Sequence, residues 1–154
     1  MILKPGPMKA LFLSVVKRAK AKYAFDVENF CIMGNHFHLL VRPRVGVSLS
    51  GLMQWIMSVF AMAWNRLHHL TGHVWGERFF SRVIESLKEF LRIFQNIDEN
   101  PVKAGLVSRP ADWPFGGLWH RRTGQRQIVD SPSPLLEILF PAHRLLALAP
   151  PILR

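Results

Sequence analysis

His36 and His38 stand two residues apart in "CIMGNHFHLLVRP", residues 31–43. On a β-strand, positions i and i+2 point to one face, so both imidazoles can aim a ring nitrogen at the same ion while Phe37 turns toward the core. That makes a two-donor platform for a divalent metal. The same spacing also arises for two side chains on the wet face of a strand, and the pair alone does not choose between the two. Cys31 is the only cysteine, which excludes an internal disulfide and a thiolate zinc cluster and fits a reducing, cytoplasmic setting.

The elements that must position the histidines can be read from periodicity. Met8, Leu11, Phe12, Val15, Val16, Ala19 and Tyr23 recur at helical spacing, with Lys9, Lys17, Lys20 and Lys22 mostly off that stripe, so the chain opens on a basic amphipathic helix. From Phe25 to Arg42 β-formers dominate, and Gly34–Asn35 between two apolar runs is a two-residue hairpin signal. The second strand carries both histidines. A long helix is predicted over 48–70, ended by a Gly in "TGH", and "RFFSRVI" alternates as a short third strand. Ser86 and Glu89 form a capping box ahead of Leu87, Phe90, Leu91, Phe94 and Ile97, with Pro101 stopping the helix. The order helix, hairpin, helix, strand, helix is α+β. From His120 the chain turns basic and then Pro-rich, and residues 119–154 read as a linker and an appended segment after a domain over 1–118.

Composition narrows the partners. Twenty Lys and Arg against ten Asp and Glu leave a formal charge of +10, which suits a polyanion through phosphate neutralisation, and nucleic acid is the first candidate. The run between Arg44 and Arg66 has no charge and meets the length of a membrane span, but Ser48, Ser50, Gly51, Gln54 and Ser58 favour a buried helix, so no membrane is expected. The basic N-terminus lacks a small-residue cleavage site, and no signal peptide is read there.

"IMGNHFHLLVRP" resembles the histidine strand of the single-tyrosine HUH transposases, a group that includes the REP-associated tyrosine transposases. "WNRLHHLTGHVWGERFFS", "NPVKAGLV" and "DWPFGG" follow in that family's order, so the resemblance covers residues 8–118. It implies a ferredoxin-like HUH transposase domain, an antiparallel sheet with helices packed on it, that acts on single-stranded or hairpin DNA in transposition or at repetitive extragenic elements. It also implies that His36, His38 and a third polar ligand hold a divalent ion, magnesium or manganese. The ion would draw charge from the scissile phosphate. Two imidazoles alone suit zinc or manganese better than magnesium, so the metal's identity comes from the resemblance. Relatives that dimerise bring a homodimer into view.

Two departures stand out. The family's last helix carries its nucleophilic tyrosine five residues before the proline, and here that position is Asn96 in "NIDENPV". An amide cannot replace a phenol at phosphorus. The only tyrosine, Tyr23, ends the first helix. Asn100 matches the place of the third metal ligand in some relatives, though Asn before Pro also suits a helix end for local reasons. The second departure is at the start, where the family has a strand before the first helix. Its loss would leave ladder groups exposed on neighbouring strands unless another segment filled the gap.

Lys88, Arg92, Asn96 and Asn100 form one i,i+4 stripe without a carboxylate, which reads as a solvated face or as a surface turned to phosphates. Arg42 after the histidine strand, Arg78 in "GERFF" and Lys103 complete the candidate phosphate contacts. Trp55, Trp64, Trp75 and Trp113 are candidates to stack on unpaired bases, or packing residues. The expectation is a transposase-like DNA-binding protein in which strand cleavage is implied by the family and doubtful in this chain. The alternative is a non-catalytic hairpin-binding module. A water-using hydrolase is a third reading, and it would need a general base near His36.

Overall fold

In the computed structural model, residues 6–34, 36–76 and 80–144 are described. Helix α1 (Pro7–Lys22) begins with proline in its first turn, where the missing N–H would have no partner anyway. Strands β1 (Phe25–Ile32) and β2 (Phe37–Pro43) follow as an antiparallel hairpin, with Cys31 opposite His38, Phe30 opposite Leu39 and an irregularity between Val27 and Asn29. The Met33 N–H donates to the His36 carbonyl at 2.8 Å, closing the turn around Gly34 as the sequence predicts.

Helix α2 (Leu49–His68) starts at Ser48, whose hydroxyl accepts from the Gly51 N–H at 3.2 Å. It ends earlier than expected. His69, not Gly72, takes the left-handed cap conformation (φ 53°), and the Asn65 side chain reaches the Gly72 carbonyl at 3.0 Å to hold the following turn. No helix among the described residues is long and apolar enough to cross a membrane.

The predicted third strand is not formed where it can be followed. Residues 80–86 form no regular element and have no ladder partners among the described residues, and Arg78 and Phe79 lie outside the described residues. Helix α3 (Leu87–Lys103) has the predicted Ser86 cap, with the Glu89 N–H donating to its hydroxyl at 3.1 Å. Pro101 does not stop it. The proline sits inside the last turn, and its carbonyl accepts from the Leu106 N–H at 2.9 Å beyond the positive-φ Gly105.

Alternation along the hairpin divides the interior in two. Phe30, Ile32, Phe37, Leu39 and Val41 join Phe12 and Val16 of α1 and Ile56 and Phe60 of α2 on one face. Cys31, Met33 and Leu40 join Phe94 and Ile97 of α3 on the other. The histidines therefore belong to the α3 face, because His38 shares parity with Leu40 and lies across from Cys31.

Among the described residues the sheet has two strands, and no strand flanks β1 on its far edge. That edge is occupied by later chain. The Ile32 N–H donates to Phe115 O at 2.9 Å, Cys31 bridges Gly116, Asp130 N–H donates to Val27 O at 3.0 Å, and Val27 N–H donates to the Asp130 carboxylate at 2.7 Å. Arg121 adds a bond to the Glu28 carbonyl. Backbone groups that a neighbouring strand would satisfy are met in part by Phe115 and Gly116 at the end of the expected domain, and in part by Arg121 and Asp130 of the segment read as a linker and appended piece.

The described part of that segment is folded. Helices α4 (Gly117–Arg122), α5 (Pro134–Leu139) and α6 (Pro141–Arg144) follow a 3-10 turn at Pro110–Asp112, and Ile128 and Val129 are buried in the main core. Within it Arg121 and His143 are buried by pairing with each other and with further polar groups, and not by hydrophobicity. "DWPFGG" ends in Gly117 because a Cβ there would lie 2.2 Å from Asn29 Oδ1.

Candidate metal and nucleic-acid site

His36 is exposed just before β2, and His38 is half-buried on it. Their ring centroids lie 5.0 Å apart at 86°, a separation at which two imidazole nitrogens can turn to one ion. Burial first, and the neighbouring His36 second, lower the pKa of His38 below its ordinary value. A neutral imidazole is the form that ligates metal. Opposite it, burial pushes the Cys31 thiol up to about 12, with Asp98 raising it further and the Trp113 contact opposing, so Cys31 stays a protonated core residue rather than a thiolate ligand.

The pair opens into a groove of about 1310 Å³ walled by His36, His38, Leu40 and Arg42 of β2, Met53 and Met57 of α2, Trp75, and Phe90, Ile93 and Ile97 of α3. That is larger than the usual small-molecule pocket and suits a polymer segment. Among the described residues no group of three or more His, Cys, Asp or Glu is placed to hold a metal. An ion held by the two imidazoles would complete its shell with oxygen donors, such as water or phosphate.

On α3 the residues facing the groove are apolar, and the polar stripe lies beside them. Asn96 is exposed and Asn100 half-buried, and neither side chain makes a hydrogen bond among the described residues. Because α3 runs on to Lys103, Asn100 is not an end cap, although its carbonyl accepts from the Ala104 N–H. Tyr23 caps α1 beside Trp55, on the opposite side of the sheet from the histidines.

The sequence matches the IS200-like transposase family over residues 2–99, more than half of the chain. The chain belongs to the IS200-like transposase family. It is 27% identical over 120 residues to a putative REP-associated tyrosine transposase of Haemophilus influenzae, covering 71% of this chain and 68% of the relative. Against the REP-associated tyrosine transposase of Escherichia coli K12 it is 26% identical over 107 residues, covering 68% of this chain and 60% of the relative. A solved REP-associated tyrosine transposase bound to a REP hairpin superposes with a TM-score of 0.64 at 23% identity, over 78% of this chain and 69% of that one. The fold of this IS200-like protein is therefore the HUH transposase fold, α+β, with the His36–His38 strand as one of its sheet strands.

The remaining candidates in this IS200-like chain divide. Arg42 lines the groove but is already paired with Asp26 at 3.2 Å and Glu28 at 3.3 Å. Lys103 pairs with Glu99 at 3.2 Å. Lys88 and Arg92 are exposed on α3 outside the groove wall, and Arg78 lies outside the described residues. Trp75 and Trp113 are held as packing residues, donating from Nε1 to Met57 O at 2.9 Å and Ile32 O at 3.1 Å. Trp64 stacks on Phe60 at 6.3 Å and 12°.

Sequence reasoning missed the polar cluster that holds α3 against β1. Asn29 donates to Phe94 O at 3.2 Å and to Asp98 Oδ1 at 2.8 Å, and Asp98 Oδ2 meets His143 Nε2 at 2.6 Å. Arg121 completes it through His143 Nδ1 at 2.9 Å. The only sequence signal was Ser133–Pro134 ahead of "LLEIL", a helix start with its cap, which marks the segment as ordered.

Proposed function

We propose that this protein binds single-stranded or hairpin DNA in the groove between β2, α2 and α3, as a transposase-like protein connected with transposition or with repetitive extragenic elements. The reading rests on one observation above others: in a chain of this family, the rings of His36, just before β2, and His38, on it, have their centroids 5.0 Å apart at the wall of a polymer-sized groove. A net charge of +10 supports an anionic partner. His36 and His38 would hold a divalent ion, manganese or magnesium, with Asn100 the candidate for a third ligand. The bound ion would supply charge neutralisation at a phosphate. The protein's own groups would do the rest: Leu40, Phe90 and Ile97 exclude water beside the pair, and Arg42 stands ready to exchange a carboxylate for a phosphate.

Strand cleavage through a tyrosine is doubtful because Asn96 stands at the nucleophile's position, exposed on α3. That observation favours the second reading, a hairpin-binding module that retains the histidine pair. A hydrolase using bound water would draw on Glu28, which with Glu85 lines the same groove, but Arg42 already engages Glu28.

The test is to incubate the protein and a labelled hairpin oligonucleotide with manganese, and resolve the products under denaturing conditions. Binding without adduct or nick is the expected result. An adduct at any residue would remove the binding-only reading, and a nick without adduct would favour hydrolysis. The double substitution His36→Ala, His38→Ala should weaken manganese binding by at least about tenfold, on the scale of ligand-shell losses. Unchanged manganese affinity would refute the metal site.

A further inference from the structure

We propose that the corner formed by the end of α1 and the first turns of α2 is a second nucleic-acid contact. It takes the backbone of single-stranded DNA on Lys17, Arg18 and Lys22, and one unpaired base on Trp55. This rests on the DNA-binding reading above and adds a surface remote from the histidines.

Neither α1 nor α2 contains a carboxylate, while α1 alone carries Lys9, Lys17, Arg18, Lys20 and Lys22. Two of these are committed elsewhere: Lys9 is buried against the Trp113 and Phe115 rings, and Lys20 pairs with Asp130. Lys17, Arg18 and Lys22 are exposed, and among the described residues none of them is in an ion pair. Arg42 and Arg44, by contrast, are both matched by Asp26. Three exposed cations on one helix end, where Asp130 is taken up by Lys20 and no ion pair engages the three among the described residues, are an unmatched charge, and phosphates complement it.

The second observation is aromatic. Tyr23 and Trp55 meet edge to face at 6.0 Å, both half-buried, with Arg18 at 5.8 Å and Lys22 at 6.0 Å from the Trp55 ring centre. Cations interleaved with a fixed indole are what single-stranded nucleic acid needs, since bases stack while the backbone is neutralised. Trp55 lies about 200° round the helix from Met53, at 100° per residue, so the corner faces away from the histidine groove that Met53 lines. An anionic membrane fits less well, because beside this corner the chain exposes Val45 but no cluster of large apolar side chains, and surface insertion needs several.

Affinity is measured by fluorescence anisotropy for a blunt hairpin, for the same hairpin with a ten-nucleotide single-stranded extension, and for anionic phosphatidylserine vesicles. The extension should tighten binding by about fivefold or more, the scale of one stacked base. Arg18→Glu with Lys22→Glu should abolish that gain without moving the thermal melt, and Trp55→Leu should reduce it. The slope of log affinity against log salt should become shallower by about 1.4 in the double charge variant, for two lost phosphate contacts. An extension that adds nothing, or a gain that survives charge reversal, overturns the second contact while leaving hairpin binding in place. Vesicle binding that depends on Arg18 and Lys22, with no gain from the extension, overturns it in favour of a membrane surface. Failure of both oligonucleotides to bind sinks the DNA reading itself and this contact with it.

Discussion

His143 gives its Nε2 hydrogen to Asp98 Oδ2 at 2.6 Å, on a ring only 1% exposed. The direction follows from the other nitrogen. Arg121 approaches Nδ1 at 2.9 Å, and a guanidinium only donates, so Nδ1 must accept. Burial lowers the Arg121 pKa to about 10, against the opposing charges of Asp98, Glu28 and Asp130, so it keeps its charge at neutral pH. Helices α4 and α6 thereby grip α3 at Asp98, two residues from Asn96, and tie it to β1 through Asn29 and Glu28.

His143→Ala should therefore cost about 3 kcal/mol, because it takes one hydrogen-bond partner from the buried Asp98 carboxylate and one from the buried Arg121 guanidinium, leaving them Asn29 and the Glu28 and Asp130 carbonyls. Urea denaturation reads the loss. A cost below about 1 kcal/mol, no more than an ordinary surface change, would show that the network does not hold the segment.

Gly117→Ala should be costly for a different reason. Its Cβ would meet Asn29 Oδ1 at 2.2 Å, on a side chain fixed by Asp98 and Phe94, so the edge contact must open. The expected penalty is about 1–3 kcal/mol, from overpacking. Gly51→Ala in the first turn of α2, where the nearest atom is 3.6 Å away, serves as the control and should be neutral or slightly stabilising. Equal melts for the two variants would contradict the close approach.

Acid should destabilise the protein in part through His120. Burial lowers its pKa, and the Pro114 hydrogen bond opposes that only in part; Nδ1 is buried with no hydrogen-bond partner among the described residues. A depressed folded pKa gives stability that is present above the unfolded value near 6.5 and is lost as pH falls below it. The contribution to the slope is at most about 1.4 kcal/mol per pH unit. His120→Phe should flatten the decline between pH 7 and 5 (about the histidine range) in urea melts. An unchanged profile would place the acid sensitivity elsewhere.

Asn96→Tyr tests the placement of the missing nucleophile. The site is exposed on α3, so the change should leave stability within about 0.5 kcal/mol. With hairpin DNA and manganese it should yield a covalent protein–DNA adduct that the parent chain lacks. Bound DNA and bound metal without an adduct would mean that this face of α3 does not present residue 96 to the histidine groove.

Much of the fold was legible because it follows from local rules. The stripe in α1, the Ser48 and Ser86 caps, the turn at Gly34 and the period-2 pattern of β2 are determined by neighbours in sequence, and the same pattern put His36 and His38 on one face. Pro101 does not end the helix because, that close to the C-terminus, it removes a single i→i−4 bond while the turn beyond it is still closed by Ala104, Gly105 and Leu106 N–H groups. What only the tertiary structure decided are the partners more than 60 residues apart in sequence: Asn29 with Asp98, Val27 with Asp130, and Arg121 with the Glu28 carbonyl. Isolated in sequence, Arg121 and His143 read as solvated charges, since nothing local foretells that a desolvated ion will find its counter-charge. In the folded chain they close the open edge of β1 and fix the helix that faces the histidines, because a buried charge is tolerated only where the whole fold supplies its partner.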